Sequence, residues 1–126
     1  MLMPQILIVE DHRDFRQAVR HFLELNKVKA HMMEACSGEE GVLIAQRIKP
    51  KVVIMDFSLG GMNGIEAARQ IKEHDPKCSI IMLTMFDPKE IVFADRSSAI
   101  KVFIGKSELY DQLIPAIDKI ISNSSV

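Results

Sequence analysis

Lys51-Val52-Val53-Ile54-Met55-Asp56 decides the fold. An unbroken apolar run without polar alternation describes a strand covered on both faces, as in a parallel sheet flanked by helices. The run ends on a carboxylate, Asp56, and a glycine-rich turn from Leu59 to Gly64 follows. Upstream, Ile6-Leu7-Ile8-Val9 is a second such strand, ending in Glu10 and Asp11. Phe15, Ala18, Val19 and Phe22 then recur at three- and four-residue spacing, the buried stripe of a helix. A weaker strand covers about 30–35, and Ser37-Gly38-Glu39-Glu40 reads as a capping box opening a helix through Val42, Ala45 and Ile48, which Pro50 ends.

Downstream, Ile65, Ala68 and Ile71 mark a helix that Pro76 breaks, and Ser79-Ile80-Ile81-Met82-Leu83-Thr84 is the fourth strand. Asp87-Pro88 starts a helix expected over 89–97, and Ile100-Lys101-Val102-Phe103-Ile104 is the fifth strand. Ser107 can cap a last helix through Leu109, Leu113, Ile117 and Ile120, where Pro115 predicts a kink or a late start. Five strand–helix pairs predict an α/β fold: a single five-stranded parallel sheet in a doubly wound (βα)5 sandwich. Right-handed crossovers place every strand C-terminus on one edge, where the ligand sites of such folds lie.

The chain has 126 residues, a one-domain length. The domain is expected over 1–122, with 123–126 a polar tail or the start of a linker. Sixteen basic against 17 acidic side chains give a net charge of −1, which argues against a chain built to blanket nucleic acid or an anionic membrane. No apolar run approaches the roughly 20 residues of a membrane span. The N-terminus carries no basic region ahead of its short apolar run and does not read as a signal peptide. Cys36 and Cys78 form no CxxC pair and are expected to be reduced, buried thiols in the cytosol. His12, His21, His31 and His74 lack metal-ligand spacing and are expected at the surface. Met32, Met33, Met82 and Met85 are expected to fill the core.

The functional signal lies at the strand ends. Glu10 and Asp11 close the first strand, Asp56 the third, Thr84 the fourth, and Lys106 follows the fifth after Gly105. Like charges cluster unfavourably unless a cation or a function offsets them. Three carboxylates suit a hard divalent cation bound through oxygen, with Mg²⁺ the best fit. An aspartate beside such an ion, facing a lysine, is a nucleophile able to form an aspartyl-phosphate.

These residues together resemble the response-regulator receiver domain of two-component signalling, over residues 5 to about 121. The resemblance is carried by Ile6-Leu7-Ile8-Val9-Glu10-Asp11-His12, by Val52-Val53-Ile54-Met55-Asp56-Phe57-Ser58-Leu59 with Met62-Asn63-Gly64, by Met82-Leu83-Thr84, and by Phe103-Ile104-Gly105-Lys106. The opening segment and Asn63-Gly64-Ile65-Glu66-Ala67 are most similar to receivers of regulators with a helix-turn-helix output. The resemblance implies a flavodoxin-like fold and a phosphoryl group taken by Asp56 from a sensor histidine kinase or phosphotransfer protein. It implies Mg²⁺ held by Asp11, Asp56 and the Ser58 carbonyl, with Glu10 acting through water. Lys106 would neutralise the phosphoryl charge. Thr84 and Phe103 would form the switch that changes the surface of helix four, strand five and helix five.

By the same resemblance the protein is cytoplasmic, regulates transcription through any output domain, and forms a homodimer, if at all, on phosphorylation. It would not touch membrane or nucleic acid through these residues. It would be no enzyme beyond self-catalysed phosphotransfer and autodephosphorylation. Gly60 and Ser107 stand where the family usually has proline, and 98–102 lacks the usual glycine-containing segment. A phosphohydrolase with an aspartyl nucleophile is the alternative, although Asp56-Phe57-Ser58 lacks the second acid such enzymes place two residues on.

Overall fold

The structure, a computed structural model, describes residues 3–123. Strands β1 (Gln5–Val9), β2 (His31–Ala35), β3 (Val52–Asp56), β4 (Ser79–Thr84) and β5 (Val102–Gly105) form one sheet. Helices α1 (Arg13–Leu25), α2 (Gly38–Ile48), α3 (Gly64–His74), α4 (Pro88–Ile91) and α5 (Leu109–Asn123) connect or follow them. The sheet order is β2-β1-β3-β4-β5, and all four pairings are parallel. The order reverses between β1 and β3, so the crevice expected to receive a ligand opens above the ends of those two strands.

Alternate residues of β1, β3 and β4 face opposite helix layers, which is why no polar alternation survives in those strands, whereas the edge strand β2 leaves His31 and Met33 exposed. Leu7, Val9, Val53, Met55, Ile80 and Met82 pack with Val42 and Ala45 of α2 and with Ala67, Ala68 and Ile71 of α3. Ile6, Ile8, Ile54, Ile81, Leu83 and Ile104 pack with Val19 and Leu23 of α1 and with Leu113, Ile117 and Ile120 of α5. Each such valine, leucine, isoleucine or methionine side chain is worth about 1.5–3 kcal/mol when fully buried. Three helix starts, those of α2, α3 and α4, carry side-chain caps. Ser37 Oγ accepts the Glu40 N–H at 3.0 Å, Asn63 Oδ1 the Glu66 N–H at 2.8 Å, and Asp87 Oδ1 the Lys89 N–H at 3.0 Å. The reciprocal arm of the capping box is displaced by one residue, because Glu40 Oε1 accepts from Cys36 N rather than from Ser37.

Several expectations are corrected. Instead of a helix over 89–97, α4 is one turn continued by a 3₁₀ turn, Val92–Ala94. The buried carboxylate of Asp95 stops it by accepting the N–H groups of Ala99 and Ile100 at 2.9 and 2.8 Å. β5 begins at Val102, with Ile100 buried ahead of it. α5 is continuous across Pro115, and the irregularity lies upstream in a 3₁₀ turn, Lys106–Glu108. Ser107 donates to Glu108 Oε2 rather than capping that helix. α5 reaches Asn123, one residue past the expected domain end, and the rest of the expected tail, 124–126, lies outside the described residues.

Cys78 is buried, which pushes its thiol up to about 12, but Cys36 is exposed. Met82 is core, whereas Met33 and Met85 are exposed, as is Ala18 on α1. All four histidines are at the surface as expected. No helix among the described residues is long and apolar enough to cross a membrane.

Candidate functional site

The register of β1 and β3 builds the site. Val9 pairs with Met55, so the next residues, Glu10 and Asp56, stand side by side at the crevice. By strand alternation both belong to the face covered by α1 and α5. Lys106, the first residue after β5, reaches over the same face. Its Nζ lies 2.9 Å from Asp56 Oδ1 and 3.4 Å from Glu10 Oε1. The Lys106 ammonium also lies over the Phe15 ring, 4.3 Å from its centroid. Asp56 is 4% exposed and Glu10 2% exposed, so one ammonium serves two carboxylates withdrawn from water.

Burial pushes the Asp56 carboxyl above the usual carboxylate range, outweighing the Lys106 hydrogen bond and charge. Burial likewise raises Glu10, helped by a hydrogen bond shared with Asp11 and by the Asp56 charge. Asp11 behaves oppositely. Burial there is outweighed by the hydrogen bond with Glu10, by the Gly60 N–H and by the His12 charge, and its carboxyl sits below the ordinary value. The cluster thus contains two carboxyls that resist ionisation and one that favours it, the kind of perturbed titration that concentrates at functional sites.

Of the residues expected in the site, Glu10, Asp11, Asp56 and Lys106 converge. Ser58 lies exposed in the bend two residues beyond Asp56. Thr84 closes β4, is fully buried, and its Oγ1 accepts the Phe86 N–H at 2.9 Å. Thr84 pairs with Gly105 and Met82 with Phe103, so Thr84 and Phe103 share one face of the sheet on adjacent strands. Phe57 and Phe86 meet edge to face, with centroids 5.9 Å apart, beside these two residues.

The donor set fits a hard divalent cation: three carboxylates against one ammonium leave an excess of negative charge, and carboxylate oxygens predominate. Glu10, Asp11 and His12 offer ligand atoms that all lie within 4.8 Å of one another. His12 Nδ1 is 3.3 Å from Asp11 Oδ1, a proximity that spacing rules for histidine ligands do not reveal.

Other parts of the site were not readable as such. Phe15 falls in the helical stripe but serves as the platform under Lys106. The Gly60 N–H donates to Asp11 Oδ2 at 3.3 Å, a bond that proline at this position could not make. Gly64 passes so close to β3 that a Cβ would collide with the Asp56 carbonyl and lie 3.1 Å from Phe57 Cα. Its N–H donates to the Phe57 carbonyl at 3.1 Å, which ties the turn back to the strand.

The sequence profile described as the response regulator receiver domain matches residues 6–118, and the chain belongs to that family, the receivers of two-component systems. Response regulator protein VraR of Staphylococcus epidermidis is 27% identical over 122 residues, which are 97% of this chain and 58% of that protein. VraR of Staphylococcus saprophyticus is 28% identical with the same coverage. The chain therefore spans 58% of the length of these curated relatives. Among solved structures, a LuxR-family two-component response regulator from Aurantimonas sp. SI85-9A1 superposes with a TM-score of 0.87 at 27% identity, covering 97% of this chain and 87% of that one. A response regulator receiver domain protein from Clostridium thermocellum gives 0.86 at 23% identity over 96% of both chains, a likeness of fold.

Proposed function

We propose that the chain is a phosphorylation-driven switch in which Asp56 takes a phosphoryl group from the phosphohistidine of a sensor kinase or phosphotransfer protein. The supporting observation is the buried Asp56 carboxylate, paired with Lys106 at 2.9 Å and flanked by Glu10. Lys106 holds Oδ1 and leaves the second oxygen to attack phosphorus. The new O–P bond forms as the N–P bond to the donor imidazole breaks, and the electron pair leaves with the imidazole. Burial, which raises the Asp56 carboxyl, keeps the nucleophile poorly solvated, and the Lys106 ammonium offsets charge on the equatorial oxygens.

Asp11, Asp56, Glu10 and the Ser58 carbonyl would hold Mg²⁺, which when bound supplies further positive charge to the phosphoryl oxygens. Thr84, whose Oγ1 accepts the Phe86 N–H, would donate its hydroxyl to a phosphoryl oxygen, freeing space into which Phe103 turns, and the surface of α4, β5 and α5 would change. Dimerisation on phosphorylation, transcriptional output through a further domain and a cytoplasmic location belong to the same reading. Turnover of an external substrate does not: Asp56-Phe57-Ser58 offers no second acid to protonate a leaving group.

Incubation with a small acyl phosphate, with and without Mg²⁺, tests the reading by intact mass. One added phosphoryl group is expected only with the metal, together with no sustained hydrolysis of phosphomonoesters. Sustained phosphomonoester turnover would establish the phosphohydrolase instead.

A further inference from the structure

The acid pair stands on a loop between β1 and α1 and has to present oxygens in a fixed place, so what holds that loop matters. The first helical turn contributes little here: His12 occupies the N-cap position of α1, and its side chain makes no capping bond. The loop is held from the side instead. Arg16 Nη1 donates to the Glu10 carbonyl at 2.8 Å, and Arg16 Nε donates to Glu34 Oε1 on β2, also at 2.8 Å. Glu34 is in turn held by Arg20 Nη1 at 2.7 Å and Gln17 Nε2 at 2.8 Å. The Glu10 N–H donates to Ala35 O at 3.0 Å, so both backbone groups of Glu10 are anchored to β2, one of them through this guanidinium.

The contacts are well placed to matter. The Arg16 and Glu34 side chains are 14% and 19% exposed, so their pairing is partly shielded from solvent. A planar guanidinium holds its donors in a fixed fork, so Nε and Nη1 can bridge a carboxylate and a carbonyl at a set geometry. Arg20 provides an internal comparison, because it shares Glu34 without touching Glu10.

We infer that Arg16 is a positioning residue for the acid pair, with Glu34 as its anchor, and that the bridge from β2 to the Glu10 carbonyl sets the affinity of the pocket for a divalent cation. The inference rests on the function proposed above. Groups that orient ligands from behind commonly change metal affinity by about 10–100-fold when removed.

The test uses Arg16→Met, which keeps bulk, with Arg20→Met as the comparison. Mg²⁺ affinity is measured by calorimetry, and amide exchange of Asp11 and His12 is followed in metal-free protein. Arg16→Met is expected to weaken Mg²⁺ by about tenfold and to speed exchange at both amides. Arg20→Met should stay within about twofold of the parent. Adding Glu34→Ala to Arg16→Met should cost little more, since both break the same bridge.

Parent-like affinity and exchange in a folded Arg16→Met protein would overturn the inference, as would equal losses in Arg20→Met. Should Arg16→Met not fold, Glu34→Ala bears the test, and parent-like affinity in it is equally decisive. Absence of Mg²⁺ binding by the parent protein would instead defeat the proposed function on which this stands.

Discussion

Lys106 Nζ lies 2.9 Å from Asp56 Oδ1, and the pair joins the turn after β5 to the end of β3 inside a pocket that also buries Glu10. Lys106→Met removes the cation and leaves both acids facing each other. The loss is expected at about 2 kcal/mol at pH 7 in metal-free protein, less than for a fully buried pair because the Lys106 side chain is itself 17% exposed. Urea unfolding at pH 7 and pH 5 checks it. The deficit should shrink at the lower pH, where the raised carboxyls take up protons, and an equal deficit at both would show that lost packing against Phe15 is the cause.

Asp56 and Glu10 both have carboxyls pushed up, chiefly by burial. The folded state therefore binds protons more readily than the unfolded chain. Metal-free stability should fall as pH rises from the ordinary carboxylate value through the folded values. Asp56→Asn removes that share and should stabilise the metal-free protein at pH 7 by about 1 kcal/mol, or about 4 °C in Tm. Little gain is expected at pH 4. Glu34 slopes the other way. Burial raises it, but Arg20 and Arg16 outweigh this and hold it low, so its contribution is present above the ordinary glutamate value and is lost as pH falls. Comparing Asp56→Asn with the parent across pH isolates the pocket, and a variant no more stable than the parent at pH 7 would contradict the strained-acid account.

Gly64 has no room for a side chain against the Asp56 carbonyl and Phe57. Gly64→Ala has to push the start of α3 away from β3, and a cost of about 1–3 kcal/mol is expected from the overpacking. Because the displaced atoms belong to Asp56 and its neighbour, phosphorylation should slow even where the variant is fully folded. Thermal melts and single-turnover phosphorylation measured together distinguish the two effects.

Phe86 is 52% exposed and stands edge to face with Phe57 next to the acceptor. We expect its ring to obstruct the water that would hydrolyse the acyl phosphate. Phe86→Ser should shorten the lifetime of the phosphorylated protein several-fold, as timed by the decay of the added mass. An unchanged lifetime would mean that the ring serves only to pack against Phe57.

The sheet was legible because its central strands are apolar runs that end on polar residues: Ile6–Val9 runs into Glu10 and Asp11, and the β3 run ends on Asp56, whereas the edge strand β2, with His31 and Glu34, gives the weaker signal. The convergence of those ends followed from parallel topology alone. What was not legible depends on side chains bonding across the chain. The end of α4 is set by Asp95, whose carboxylate ties down the amides of Ala99 and Ile100 just beyond the expected helix, with Ser98 ahead of them in a left-handed conformation (φ 54°). Nothing in the periodicity of 89–97 announces that bond. Phe15 has the spacing of a core residue, and only the arrival of Lys106 gives its ring another task. The Arg16–Glu34 bridge joins a helix to a strand and has no local signature.

The central claim is that Asp56 is the atom-level acceptor of phosphorus. Reductive trapping tests it most directly: protein treated with an acyl phosphate and Mg²⁺ is reduced with borohydride, which converts an aspartyl-phosphate to homoserine, and the product is mapped by peptide mass spectrometry. The account predicts homoserine at position 56, dependent on the metal and absent from Asp56→Asn. Homoserine at Asp11, or the one-carbon-longer hydroxynorvaline at Glu10, or label persisting in Asp56→Asn, would contradict it.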